Sequence, residues 1–174
     1  MMPETSIAIV PALEETRDSL TALVTMLPAE DTLRRVGPES WSILEVIEHL
    51  VIVERVALLR LSSAEPSGPR PRDHAREREL MARAQNRATK ITAPEPARPA
   101  GRFTAADEAL QAFLGARART IRFAQESEPA LTALPVNHPV FGPITGAESL
   151  ILIAAHTRRH MAQIREIAAA LAGP

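Results

Sequence analysis

Ser42-Ile-Leu-Glu45-Val-Ile-Glu-His49-Leu-Val-Ile-Val-Glu-Arg-Val-Ala-Leu-Leu-Arg-Leu61 is the stretch that decides the fold class. Ser42 and Glu45 have the spacing of a capping box, in which each side chain satisfies a backbone N–H that the first turn of a helix leaves free. The run behind them is apolar nearly all round, which suits a central helix rather than one lying on a surface. Thr145-x-x-Glu148 repeats the start signal and opens a segment that runs through Leu171 and stops at Gly173-Pro174. Thr104 and Asp107 give a similar start to a segment carrying Leu110, Phe113, Leu114, Arg117 and Ile121 toward Glu128. Ahead of all three, Val10 to Leu27 places Leu13, Leu20, Val24 and Leu27 on one side of a helix that Pro28 closes. With 4 phenylalanines, 1 tryptophan and no tyrosine the composition favours helices, and no alternating strand pattern stands out.

Between the second and third helices lie two proline-rich stretches, Ser62 to Arg72 and Thr92 to Arg102, which cannot be helical throughout. Asp73 to Lys90, between them, is expected to form a shorter polar helix outside the domain. The architecture that accommodates these parts is all-α: a four-helix bundle with a long Pro-rich crossover carrying a short extra helix. One domain over residues 1–174 fits the length.

Twenty basic residues against 21 acidic ones leave a net charge of −1, so no global field draws the chain to nucleic acid or anionic lipid. The segment Arg70 to Lys90 carries a local charge of +4, but no aromatic residue interleaves with it for base stacking, which argues against a nucleic-acid site. Cysteine is absent, which excludes a disulfide scaffold, a thiolate metal site and a cysteine nucleophile together. The acidic start, with Glu4, Glu14, Glu15 and Asp18, does not read as a signal peptide, and no apolar run approaches the ~20 residues of a membrane span. A soluble, cytoplasmic protein is the expectation.

Histidine and carboxylate are left to do any metal chemistry. His156 and His160 are four apart on the fourth helix, so both imidazoles project from one face and can reach one ion. Leu152, Ile153, Ile164 and Ile167 share that stripe and turn it inward, while Val46, Ile52, Val53 and Val56 do the same for His49 on the second helix. Three polar rings then converge on the interior. Buried without partners they cost about 1–3 kcal/mol each. Either a shared divalent cation or separate hydrogen bonds to backbone and water would satisfy them, and spacing alone leaves both readings open.

The stretch Trp41-Ser-Ile-Leu-Glu-Val-Ile-Glu-His49-Leu resembles the start of the second helix in the DinB-like superfamily of metal-binding four-helix-bundle proteins. His138-Pro-Val-Phe-Gly142-Pro-Ile-Thr145, followed by His156-Thr-Arg-Arg-His160-Met-Ala-Gln163-Ile, is similar to that superfamily's fourth helix and the loop before it. The resemblance implies a divalent metal, zinc, nickel or iron, held by His49, His156 and His160. A site of three histidines leaves a coordination position open for water or substrate. The resemblance also implies enzymes that transfer sulfur from a low-molecular-weight thiol, alongside metal-dependent hydrolases. S-transfer is the leading expectation. Hydrolysis and a non-catalytic bundle that binds a metal or small ligand are the alternatives, with a small-molecule substrate and a homodimer compatible with any of them.

Other residues read more plainly. Glu45 faces His49 but is explained by its capping box. Gln163 continues the face of His156 and His160 by one turn, where packing explains it as well as contact with substrate. Arg159 is expected on an exposed flank, His138 in a structural loop role, His74 in solvent, and Trp41 at one end of the bundle.

Overall fold

The computed structural model describes residues 6–173. Glu4 and the proline stop expected at position 174 lie outside them. In chain order the helices are α1 (Ile9–Thr25), α2 (Ala29–Leu33), α3 (Ile43–Ser62), α4 (His74–Gln85), α5 (Ala106–Ser127) and α6 (Gly146–Ala172). Both outer capping boxes form: Ser42 with Glu45 starts α3, and Thr145 with Glu148 starts α6. The middle signal does not work as read. Ala105 precedes the first turn of α5 without a side-chain cap, and Glu108, three residues on, reaches back to the amide and hydroxyl of Thr104.

α1 and α3 each pack against both α5 and α6, so α1 lies across the bundle from α3 and α5 across from α6. The core has two apolar halves. One gathers Leu13, Leu61, Ile121, Ala124 and Leu150 to Ala155. The other gathers Leu20, Val24, Ile43, Val46, Ile47, Leu50, Leu110, Phe113, Met161 and Ile164. The first thus joins the early part of α1 and α6 to the late part of α3 and α5, which means that α3 and α5 run side by side in the same direction. A chain leaving α3 must return the length of the bundle, roughly 30 Å for a helix of this size, before α5 can begin. That requirement is the physical reason for the crossover.

Within the crossover α4 lies on α6, burying Glu77, Leu80 and Ala84. Arginines in and beside α4 are matched: Arg72 pairs with Glu77, Arg76 with Glu148 and Arg87 with Glu166. His74 is half-buried against Glu77 rather than free in solvent.

A polar layer separates the apolar halves. Arg117 is fully buried and donates from Nε and Nη2 to the two carboxylate oxygens of Glu54, at 2.7 and 2.9 Å. Nη1 donates to the Leu13 carbonyl and the Thr16 hydroxyl, and Nη2 also to the Thr157 hydroxyl. One planar guanidinium with five N–H donors therefore ties α1, α3, α5 and α6 together.

Two departures from the sequence reading are local. Pro135–His138 (β1) and Gly142–Thr145 (β2) form an antiparallel hairpin with Val136 opposite Ile144, where the sequence pattern predicts no strand. Both strands are edges, so the prolines in them interrupt no interior ladder. Gly142, at φ +70°, supplies the left-handed backbone that turns the chain back. Val56, expected to face inward, is exposed. No helix among the described residues is long and apolar enough to cross a membrane.

Candidate metal centre

α3 contributes His49 from the apolar run that buries it, and α6 contributes His156 and His160 from successive turns. Their ring nitrogens come together: Nε2 of His156 lies 3.2 Å from Nε2 of His49 and 3.1 Å from Nε2 of His160. One ligand atom from each of the three can be chosen so that all lie within 4.8 Å of one another. A tetrahedral zinc ion with bonds of 2.0–2.1 Å sets its nitrogen ligands roughly 3.3 Å apart, so the donors match in type and the two separations at His156 match in length.

The outer sides of the rings decide where the protons are. His49 Nδ1 lies 2.6 Å from the carbonyl oxygen of Ala97. A carbonyl can only accept, so Nδ1 carries the proton and Nε2 presents a lone pair. His160 Nδ1 donates in the same way to Oε1 of Gln163, at 2.7 Å. His156 Nε2 can hold at most one proton, yet it faces two lone pairs. In the neutral cluster at least one of these short N···N contacts therefore has no proton directed along it and leaves an imidazole lone pair without a donor. A cation between them removes the conflict, and no protein donor at these contacts does.

Burial keeps the rings neutral. It lowers the pKa of His49 against an opposing contribution from the Ala97 hydrogen bond. It brings His160 down to about 3, with the charge of His49 adding to the effect, and holds His156 well below its usual value. Neutral imidazole is the form that binds metal.

The remaining expected residues fall into place around this cluster or away from it. The ring of Trp41 lies 5.1 Å from that of His49, so it packs at the site and not merely at the bundle end. Gln163 touches His160 directly. Glu45 turns away to its cap and to Arg35, leaving His49 to Ala97. Arg159 is buried, contrary to expectation, because the crossover passes over α6 and offers it the carbonyls of Asn86 and Thr89. His138 closes its hairpin, its Nδ1 accepting from the amides of Val140 and Phe141. Burial, and then the charge of Arg60, lower His138 to about 4. A cleft of about 730 Å³ between the crossover, the hairpin and the start of α6 contains none of the three histidines.

Sequence reasoning misses Glu48 and the Ala97 carbonyl. Glu48 is buried beside His49 and accepts from the amides of Ala100, Gly101 and Arg102. Its partners are backbone groups, and no residue type marks them.

A sequence model of the DinB superfamily matches residues 12–164. The uncharacterized protein YuaE of Bacillus subtilis (strain 168) is 29% identical over 143 residues, covering 81% of this chain and 85% of that protein. Among solved structures, TT2238, described as a four-helix bundle protein, aligns with a TM-score of 0.59 at 19% identity, over 91% of this chain and 96% of its own. YfiT from Bacillus subtilis, described as a probable metal-dependent hydrolase with an unusual four-helix bundle topology, aligns with a TM-score of 0.59 at 18% identity, over 99% of this chain and 90% of its own. The matched span is most of the sequence, and the chain belongs to the DinB superfamily.

Proposed function

We propose, taking that membership as the premise, that the chain binds a divalent metal through Nε2 of His49, His156 and His160 and acts as a metal-dependent hydrolase on a small molecule. The observation that carries the reading is the convergence of three imidazoles, His49 and His160 buried and His156 partly buried, two of which hold their protons on the far nitrogen. A divalent cation bound by three neutral nitrogens keeps a position open, polarises a substrate carbonyl or phosphoryl oxygen, and lowers the pKa of water toward neutrality.

The protein's own groups prepare that chemistry. Ala97 and Gln163 fix the tautomers of His49 and His160, so that the lone pairs needed for binding are presented before any ion arrives. Burial lowers the affinity of the rings for protons, so protons compete less with a metal for their nitrogens. The ring of Trp41 packs against that of His49, tilted by 47°.

Hydrolysis stands ahead of the S-transfer expected from the sequence, because the structural relative YfiT is described as a probable metal-dependent hydrolase. The test is metal analysis of protein purified without added metal, followed by a panel of ester, amide and phosphoester substrates with the zinc-, nickel- and iron-loaded forms. Turnover that vanishes in His49→Ala and His156→Ala supports the proposal. Metal binding with turnover only in the presence of a small thiol would move the assignment to S-transfer, and binding with no turnover on any substrate would move it to a binding protein.

A further inference from the structure

The crossover is fastened to both helices that supply the histidines, and at α3 the fastening is made by the residue next to one of them. Glu48 and His49 are consecutive, and their side chains leave α3 about 100° apart. Glu48 Oε1 accepts from the amide of Ala100 at 2.8 Å, and both its oxygens accept from Arg102 at 3.3 Å. Oε2 also accepts from Gly101 at 3.2 Å. Three successive amides thus point at one buried carboxylate, a backbone nest for an anion. Gly101, at φ +72°, provides the left-handed step that lets them converge. Three residues before the nest, the carbonyl of Ala97 accepts the Nδ1 proton of His49. On the α6 side Arg159 holds the carbonyls of Asn86 and Thr89, and Arg87 pairs with Glu166.

We propose that Glu48 is a positioning residue for the metal site: by gripping the amides of residues 100–102 it holds the Ala97 carbonyl that orients His49, so the crossover and the metal centre form one thermodynamic unit. The inference rests on the metal reading above. Its logic is reciprocal, because a clamp that strengthens metal binding must itself be tightened by the metal. Loss of an outer partner of a metal-ligating histidine typically weakens affinity 10–100-fold, and Glu48 acts one step further out, through the carbonyl it places.

The experiment titrates zinc against a competing chelator in the wild-type chain and in Glu48→Gln, Gly101→Ala, Glu77→Gln and His49→Ala, with hydrogen exchange of residues 97–102 followed with and without zinc. Glu48→Gln keeps the side-chain volume but loses the charge and one acceptor oxygen. Gly101→Ala disturbs the same nest from the solvent side, where an added Cβ meets nothing within 4 Å, and so keeps the test open if the Glu48 variant does not fold. Glu77 is an equally buried carboxylate in α4, paired with Arg72 and away from the site. The expected result is a roughly 10-fold or greater loss of zinc affinity in Glu48→Gln, a smaller loss in Gly101→Ala, none in folded Glu77→Gln, and zinc-dependent protection of residues 97–102 in the wild type. Unchanged affinity in the folded Glu48 and Gly101 variants, with His49→Ala still abolishing binding, would overturn the positioning role and leave the metal site standing. Failure of the wild type to bind zinc, nickel or iron would instead remove the metal reading itself.

Discussion

Gln163 accepts the Nδ1 proton of His160, and without that acceptor the ring is free to turn or to carry its proton on Nε2, where it blocks a cation. Gln163→Ala is therefore expected to weaken zinc binding about 10-fold, whereas Gln163→Glu, which keeps an acceptor, holds most of the affinity. Competition with a chelator measures both, and equal affinities for wild type and alanine variant would refute the tautomer argument. At this scale the three clustered histidines are legible in the sequence and the groups that support them are not. His156 and His160 announce themselves by spacing on one helix, and His49 by its apolar neighbours. Glu48, by contrast, looks like an ordinary polar position in a long helix. Its function depends on amides roughly fifty residues away, and amides carry no letter in a sequence. Arg159 escapes the sequence reading for the same reason, since its partners are the carbonyls of Asn86 and Thr89.

The elements show the same division between local and distant causes. α3 and α6 begin where their capping boxes say, because a cap is satisfied within four residues. The hairpin at Pro135–His138 and Gly142–Thr145 is hidden, because its strands are short and hold prolines, and its one β-branched pair, Val136 and Ile144, is buried in the cluster that the start of α6 joins. Gly146 marks that junction. A Cβ there would lie 2.8 Å from the carbonyl oxygen of Leu131, a backbone atom with little room to yield. Gly146→Ala is thus expected to cost about 1–3 kcal/mol in urea unfolding. The layer around Arg117 predicts a larger effect. Glu54→Ala leaves a buried guanidinium without its counter-charge and should cost about 3–5 kcal/mol, while replacing both partners by apolar residues of similar volume should recover much of the loss. A double variant no more stable than Glu54→Ala alone would contradict that account.

On the scale of the whole molecule, the parallel placement of α3 and α5 forces the crossover to run the length of the bundle, and the returning chain brings the Ala97 carbonyl to His49. Periodicity foretells four helices and an interrupted connection. It does not foretell which helices lie side by side, because several arrangements bury the same apolar faces. The buried His160 and the partly buried His138 also give the fold a pH signature. His160 and His138 have pKa values lowered to about 3 and about 4, chiefly by burial, against ~6.5 in an unfolded chain. As pH falls the unfolded state takes up these protons first, so their contribution is complete above about 6.5 and is lost progressively toward their folded values. The melting temperature of the metal-free protein should accordingly drop between about pH 6.5 and 5, above the carboxylate range, and a flat profile there would contradict the burial of these rings.

The most direct test of the central claim is X-ray absorption on protein purified without added metal, with the metal content of the same sample determined independently. The account predicts close to one divalent ion per chain with three imidazole nitrogens bound to it, and loss of that signal in His49→Ala. A wild-type chain that takes up no divalent metal even when loaded, or an ion whose ligands include no imidazole, would contradict it.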